Sequence, residues 1–315
     1  MVPIFVVLLF ALGLVLIVRG GDDFVDAAAW MADASGVPEF LIGATIVSVG
    51  TTLPELLVSL MAAEGGAMGI AAGNAVGSVT ANLGLILGIS VLCAAGTLDR
   101  HTQGFKLIMM GAAIGLLTAF TRRGSLSIPC AVILLALLPV CLAESLIGLH
   151  GEKNAPRPGV DARAVAANIV KFLAGGAGIL IGARLLVDCG ANLALLCGVP
   201  EGIIGATLVA VGTSLPELVT AVAALARGQA GLTVGNIVGA NIIDLTLILP
   251  LCCLTSGRPL PLPPQSVALD IPFCLALTLL AILPPLVTGR FRRRQGLAML
   301  GLYGVYVAAL CHGMA

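Results

Sequence analysis

Apolar runs long enough to cross a lipid bilayer follow one another along almost the whole chain. A membrane-spanning helix needs about 20 mainly apolar residues to cross a hydrocarbon core of roughly 30 Å. Of the 315 residues, 59% are hydrophobic and only 10% are charged, which is far from the composition of a soluble domain. We therefore predict an all-α integral membrane protein with ten transmembrane helices. The predicted spans are 2–30, 38–64, 68–96, 104–121, 125–149, 164–189, 199–226, 229–256, 267–288 and 295–313.

The distribution of basic residues predicts how the chain is oriented. The first apolar run lacks the basic lead and the cleavage site of a secretory signal, so it is interpreted as the first helix. With the N-terminus outside, twelve of the sixteen Lys and Arg residues fall on the cytoplasmic side, and four fall outside: Arg122, Arg123, Arg184 and Arg258. The positive-inside rule then places both termini outside. We expect a multi-pass protein of the cell inner (plasma) membrane whose basic residues meet lipid headgroups.

A duplication relates the two halves of the chain. Residues 25–89 align with residues 187–251 without a gap, and about half of the aligned pairs are identical. The offset is 162 positions, as shown by Glu55 and Glu217 (217 − 55 = 162). Each unit contains five spans, an odd number, so the second copy enters the membrane in the opposite orientation. The sequence thus predicts two inverted five-helix repeats, a design that places an ion site near the membrane midplane.

The polar stretch between the halves predicts the domain boundaries. It is rich in Pro, Gly and charged residues, which is typical of a linker. We expect a first repeat at 1–149, a cytoplasmic linker at 150–163 and a second repeat at 164–315.

Two phrases place an acid beside a proline inside an apolar run. A carboxylate in the membrane interior is costly, so Glu55 and Glu217 are candidate functional residues. Pro54 and Pro216 each remove a backbone donor and break the helix, which frees carbonyl oxygens to bind a cation. The phrases are Gly50-Thr51-Thr52-Leu53-Pro54-Glu55 and Gly212-Thr213-Ser214-Leu215-Pro216-Glu217.

The third and eighth spans add a second set of polar residues. Positions 74, 78 and 82 recur at helical spacing, as do 236, 240 and 244, so each set lies near one helix face. Asn82 and Asp244 need partners in mid-membrane, which favours a role at the site. The glycines at 73, 77, 235 and 239 either pack helices closely or shape the site.

The oxygen atoms of these residues suit a calcium site shared with sodium. Calcium takes about 6 to 8 oxygens from carboxylates, carbonyls and amides. Glu55 and Glu217, the carbonyls of Thr51 and Thr213, and the side chains of Asn82 and Asp244 supply such a set. Hydroxyls of Thr51, Ser78 and Thr213 suit sodium. Because buried acids repel one another, a counter-ion must always be present, whether sodium, a proton or both.

These motifs resemble the cation/calcium exchanger superfamily, in particular the compact prokaryotic sodium/calcium exchangers. The resemblance is carried by Gly43-Ala44-Thr45 through Glu55 with 73–82, and by Gly205-Ala206-Thr207 through Glu217 with 235–244. It implies antiport of calcium against sodium by alternating access, with the first and sixth helices sliding across a rigid bundle.

The resemblance also implies individual ligands. Glu55 and Glu217 resemble the central calcium ligands, and Asn82 and Asp244 match the flanking polar pair. Thr51, Ser78 and the carbonyl of Ser48 resemble an inner sodium site, and Thr213 and the carbonyl of Ala210 an outer one. The chain departs from the family pattern at Ala240, where a serine is usual, so the outer sodium site lacks one oxygen.

Buried acids in a membrane protein are also compatible with functions other than sodium/calcium exchange. A calcium/proton antiporter is the main alternative, since Ala240 weakens the sodium site and the acids can carry protons. A channel predicts calcium flux without a counter-ion. An intramembrane hydrolase lacks support, because neither GxGD nor HExxH occurs. We expect no enzymatic activity, cofactor, zinc, disulfide or nucleic-acid partner, and a functional monomer that binds calcium, sodium and membrane lipids.

Overall fold

The fold is almost entirely helical. The computed structural model describes residues 2–94, 96–97, 103–151, 161–196, 212 and 214–313. The helices are α1 (Val2–Ser35), α2 (Glu39–Thr51), α3 (Leu53–Glu64), α4 (Met68–Cys93), α5 (Gly104–Phe120), α6 (Ile128–Gly151), α7 (Ala162–Leu196), α8 (Leu215–Ala226), α9 (Ala230–Thr255), α10 (Ser266–Thr288) and α11 (Arg293–Gly313). Two short strands, β1 (Ser125–Leu126) and β2 (Leu260–Pro261), pair antiparallel and join two loops.

The helices agree with the predicted membrane spans. Six helices are long and apolar enough to cross a membrane, and α2 with α3 makes a seventh span that is bent by 44°. Within the described residues, α5 and α8 are shorter apolar helices. Each predicted run overlaps a helix or the bent pair, so the all-helical membrane class is confirmed. The count of ten spans stays a prediction.

The first helix of each half is longer than predicted. Helix α1 has 34 residues and α7 has 35, whereas the apolar runs predicted 2–30 and 164–189. Acidic residues near the end of the first run do not stop a helix. Helix α1 instead ends at Ser35. The next residue, Gly36, has a left-handed φ of +70°, and Pro38 follows two residues later. Most of the predicted linker, residues 152–160, lies outside the described residues.

The duplication extends to the element boundaries. Helix α3 spans 53–64 and α8 spans 215–226, which is again a shift of 162. The α-helical parts of α4 and α9, at 68–81 and 230–243, follow the same rule. Each then continues into a π-helical turn that begins at Asn82 in α4 and at Asp244 in α9. The two halves are therefore built as structural copies in this region.

Helices α1 and α7 pack antiparallel through glycines. A Cβ at Gly20 would lie 2.7 Å from the carbonyl oxygen of Gly175, and one at Gly13 would lie 3.0 Å from that of Gly182. Gly13 and Gly175 are repeat equivalents (175 − 13 = 162), as are Gly20 and Gly182. The equivalent of Gly13 in α7 therefore contacts Gly20 of α1, and the equivalent of Gly20 contacts Gly13. This reciprocal pattern is the one that a two-fold axis between the helices produces. This geometry supports the inversion expected from the odd span count.

Ion pairs connect this helix pair to the helix that carries Glu217. Lys171 Nζ on α7 lies 3.0 Å from Asp26 Oδ2, and Arg227 Nη1 at the end of α8 lies 2.8 Å from Asp22 Oδ1. Arg227 also pairs with Asp26. These side chains are partly exposed, so each pair contributes at most about 1 kcal/mol. Asp26 therefore helps to hold α1 against α7 and against the end of α8.

We expect Gly20→Ala to destabilise the protein by about 1–3 kcal/mol, because the added methyl group meets the backbone of α7 rather than a flexible side chain. Thermal unfolding of the purified protein in detergent measures the change. Gly115→Ala is the matched control, since no described atom lies within 4 Å of its new Cβ. Equal unfolding temperatures for both variants would contradict close packing of α1 on α7.

Candidate ion-binding site

Two prolines start the helices that carry the central acids. The chain bends at Thr52, and α3 begins with Leu53 and Pro54 in its first turn, which places Glu55 in that turn. Helix α8 begins in the same way and places Glu217 in its first turn. The first turn tolerates proline, since its N–H groups have no helical acceptor. These N–H groups also favour negative charge at both positions.

Four side chains predicted to bind ions lie in the interior without solvent contact. Glu55, Glu217, Asp244 and Asn82 are each 0% exposed. Helix α3 packs on the π-helical turn of α9 that begins at Asp244, and α8 packs on the turn of α4 that begins at Asn82. The structure thus brings together the four elements that carry these residues, two from each half.

Six oxygen atoms of these side chains have no hydrogen-bond partner among the described residues. They are both carboxylate oxygens of Glu55 and of Asp244, Oε2 of Glu217 and Oδ1 of Asn82. A buried acceptor left unpaired costs about 1–3 kcal/mol, and more when it is charged. Carboxylate and amide oxygens are the ligands that calcium prefers. The cluster is therefore suited to hold a cation.

Hydroxyl and amide groups connect the two halves around the acids. Thr52 Oγ1 lies 3.4 Å from Glu217 Oε1, and Thr51 Oγ1 donates to Asn236 Oδ1 over 3.2 Å. The hydroxyls of Ser78 and Ser214 lie 3.2 Å apart. Every one of these contacts joins a residue of the first half to one of the second.

The predicted inner sodium ligands are present, but one of them is engaged. The carbonyl oxygen of Ser48 accepts the Thr52 hydroxyl at 2.7 Å and the Thr52 N–H at 3.0 Å. Both lone pairs of that oxygen are thus used in this conformation. Thr213 and Ala210, the predicted outer ligands, lie outside the described residues.

Several residues at the site were not among the predicted ligands. Asn74 Nδ2 donates to the carbonyl oxygen of Glu55 over 3.3 Å, and its repeat equivalent Asn236 donates to Thr220 Oγ1 over 3.0 Å. Thr52 and Ser214 are also repeat equivalents (214 − 52 = 162). The signal for them was the duplication itself, because both halves keep an amide at one position and a hydroxyl at the other.

The glycines of α9 have a packing role. A Cβ at Gly235 would lie 2.2 Å from the carbonyl oxygen of Phe40, and one at Gly239 would lie 2.5 Å from Ser48 Oγ. Backbone and backbone therefore meet where α9 crosses α2.

The ligand set is mixed rather than a compact cluster of acids. In the part of the chain that the structure describes, no three Asp, Glu, His or Cys side chains are grouped closely enough to hold a metal by themselves. A cation at this site needs amide, hydroxyl or carbonyl oxygens in addition to carboxylates. Because fewer of the ligands are charged, such a set binds an ion less tightly than a cluster of acids does, and the ion can be released again.

The chain is similar to known membrane exchangers over nearly its full length. A model of the family described as "Sodium/calcium exchanger protein" matches residues 5–146 and 167–311. An uncharacterized membrane protein of Methanocaldococcus jannaschii is 34% identical, over 96% of this chain and 97% of its own. The sodium/calcium exchanger MaX1 of Methanosarcina acetivorans is 32% identical, with the same coverage of both chains.

A solved structure gives the same result. The sodium-calcium exchanger NCX_Mj, from crystals soaked with Na⁺ and Sr²⁺, superposes with a TM-score of 0.86 and 32% identity, covering 97% of this chain and 99% of that one. On the fold, the duplicated acid motifs and these similarities, the chain belongs to the sodium/calcium exchanger protein family.

Proposed function

We propose that this protein exchanges calcium for sodium across the membrane and that the buried acids bind both ions in turn. The observation that carries the proposal is the set of six partnerless oxygens where the two halves meet. The proposal is further supported by the family match, by the exchanger MaX1, which is 32% identical over 96% of this chain, and by the exchanger NCX_Mj, which shares the fold.

The charge of the site must be compensated by ions from outside the protein. Among the described residues, Lys106 is the buried basic side chain, and its Nζ lies 3.0 Å from Glu144 Oε2 and contacts Ser145. Lys106 is thus neutralised by its own partner. In the described part of the chain Glu55, Glu217 and Asp244 have no such basic partner, so a bound cation supplies the missing charge.

The need for a bound cation links occupancy of the ion site to the change between its open and closed states. A site with three uncompensated acids is stable only while it is open to water, since water supplies the hydration that a closed membrane interior lacks. Closure is favourable when calcium or sodium is bound. The protein therefore moves ions in exchange for one another and does not leak as a channel does.

We assign the ligands by charge and by the groups around them. Glu55 and Glu217 bind calcium, with Asn82 and Asp244 beside them. Thr51, Ser78 and the carbonyl of Ser48 form the inner sodium site once Thr52 releases that carbonyl. Thr213 and the carbonyl of Ala210 form the outer site.

Alternating access requires two parts that move relative to one another. The long helices α1 and α7 pack mainly on each other, and exposed ion pairs connect them to α8. We infer that this pair slides on the bundle of the other helices. Repeats at 1–149 and 164–315, joined by the linker at 150–163, contribute one acid phrase each, so one chain holds a complete site and functions as a monomer.

Calcium uptake into vesicles tests the exchange directly. We expect an outward sodium gradient to drive uptake of labelled calcium while the pH is held equal on both sides. Uptake that needs a proton gradient and ignores sodium would contradict sodium coupling. Calcium flux without either counter-ion would indicate a channel.

Glu217→Gln removes one charge from the site while keeping its shape. Loss of one partner from a buried charge pair costs roughly 3–5 kcal/mol, which is more than a hundredfold in affinity, so we expect calcium uptake to fall to background. Glu64→Gln, an exposed acid at the end of α3, is the matched control and should transport normally. Retained uptake by Glu217→Gln would refute the assignment of the central ligand.

Ala240→Ser restores the hydroxyl that one half lacks. In the first half Ser78 contacts Ser214, whereas the repeat equivalent of that pair, Ala240 and Thr52, has one hydroxyl, and Thr52 turns to Ser48 and Glu217. One added oxygen ligand is worth about 1 kcal/mol, so we expect half-maximal exchange at about fivefold lower sodium. An unchanged sodium dependence would show that position 240 does not face the ion.

A further inference from the structure

One of the six partnerless oxygens belongs to an amide, whose direction depends on its neighbours. Asn82 Nδ2 donates to Asn241 Oδ1 over 3.1 Å, and this leaves Asn82 Oδ1 buried without a donor. A carboxylate presents oxygen in either orientation. An amide presents oxygen on one side and an NH₂ group on the other, so a half-turn would aim two donors at the cation.

A neighbouring thioether determines which way the partner amide points. Asn241 Nδ2 donates to Met110 Sδ over 3.6 Å, and both side chains are fully buried. A thioether sulfur accepts hydrogen bonds and cannot donate them. The NH₂ group of Asn241 must therefore face Met110, and its carbonyl oxygen must face Asn82. That oxygen in turn requires the NH₂ group of Asn82, since two facing oxygens would repel.

The duplication shows why this arrangement occurs once. The repeat equivalent of Asn82 is Asp244, whose two oxygens are alike and need no orientation. The repeat equivalent of Asn241 is Val79 (241 − 79 = 162), which has no polar group. The amide of Asn241 is thus present beside Asn82, whose side chain can bind a cation in only one orientation. Val79 stands at the equivalent position in the other half, where Asp244 needs no such orientation.

We propose that Asn241 is a positioning residue that directs the carbonyl oxygen of Asn82 toward the bound cation. This inference rests on the proposed function, because it assigns a role within the same ion site. Asn241 does not need to touch the ion. It acts through Asn82, and Met110 acts through Asn241.

A double-mutant cycle with Asn82→Asp tests the proposal. Asn241→Leu keeps the branched shape of the side chain but removes the acceptor, so the amide of Asn82 is free to turn; we expect the KM for calcium to rise about tenfold with a smaller change in maximal rate. In the Asn82→Asp background both atoms are oxygens, and Asn241→Leu should change the KM less than about twofold. The measurement is sodium-driven calcium uptake, with calorimetric calcium binding to the purified protein beside it.

Control variants separate orientation from packing. Thr278→Val removes a fully buried hydroxyl that bonds within its own helix, to the carbonyl of Cys274 at 2.7 Å, and should leave the calcium KM unchanged. Met110→Leu conserves volume and should raise the KM in the same direction by about two- to fivefold, which keeps the test possible if Asn241→Leu does not fold.

The outcomes are distinct. An unchanged KM in Asn241→Leu, or in Met110→Leu where the former does not fold, overturns the proposal. An equal increase in both backgrounds overturns it too, because the effect then does not pass through Asn82. If the wild-type protein binds calcium but shows no sodium-driven uptake, the proposed function fails, and the cycle is read from the binding data alone.

Discussion

A carboxylate that leaves water for a membrane interior loses hydration that only a cation, a hydrogen bond or a proton can replace. The arrangement of the helices around Glu55 and Glu217 follows from this loss. Both acids lie in first turns, where free N–H groups favour negative charge, and the Thr52 hydroxyl lies 3.4 Å from Glu217 Oε1. The compensation is incomplete, since five carboxylate oxygens of the three acids have no hydrogen-bond partner in the part of the chain that the structure describes. An exchanger needs this deficit, because a fully satisfied site would have no reason to bind an ion.

Close helix packing keeps water away from these charges. Gly235 lets α9 approach the backbone of α2, and Gly20 does the same for α1 against α7. Larger side chains at either place would separate the helices and admit water, which would weaken the attraction for the ion by raising the local dielectric constant.

The parts of the structure that the sequence could predict are those encoded locally. Pro54 lacks an N–H donor and suits only the first turn of an unbroken helix, an acid such as Glu55 is costly in any apolar run, and the offset of 162 can be counted. The π-helical turns that begin at Asn82 and Asp244 carry no local signal and arise from packing. The contact between Asn82 and Asn241 joins residues 159 apart, and the engagement of the Ser48 carbonyl by Thr52 depends on conformation. Such features need the tertiary structure.

The two halves are copies in backbone but differ at the ion. Ser78 corresponds to Ala240, Asn82 to Asp244 and Val79 to Asn241, so the charge and the hydroxyl groups are divided unevenly. With identical halves, an ion would meet the same ligands from either side, and nothing would distinguish calcium from sodium by position. In the proposed ligand assignment, Asp244 adds charge beside the calcium ligands, and Ser78 adds a hydroxyl to the inner sodium site. Different subsites for calcium and sodium allow the two ions to compete for the same acids. The differences between the halves therefore matter as much to the proposed exchange as their symmetry does.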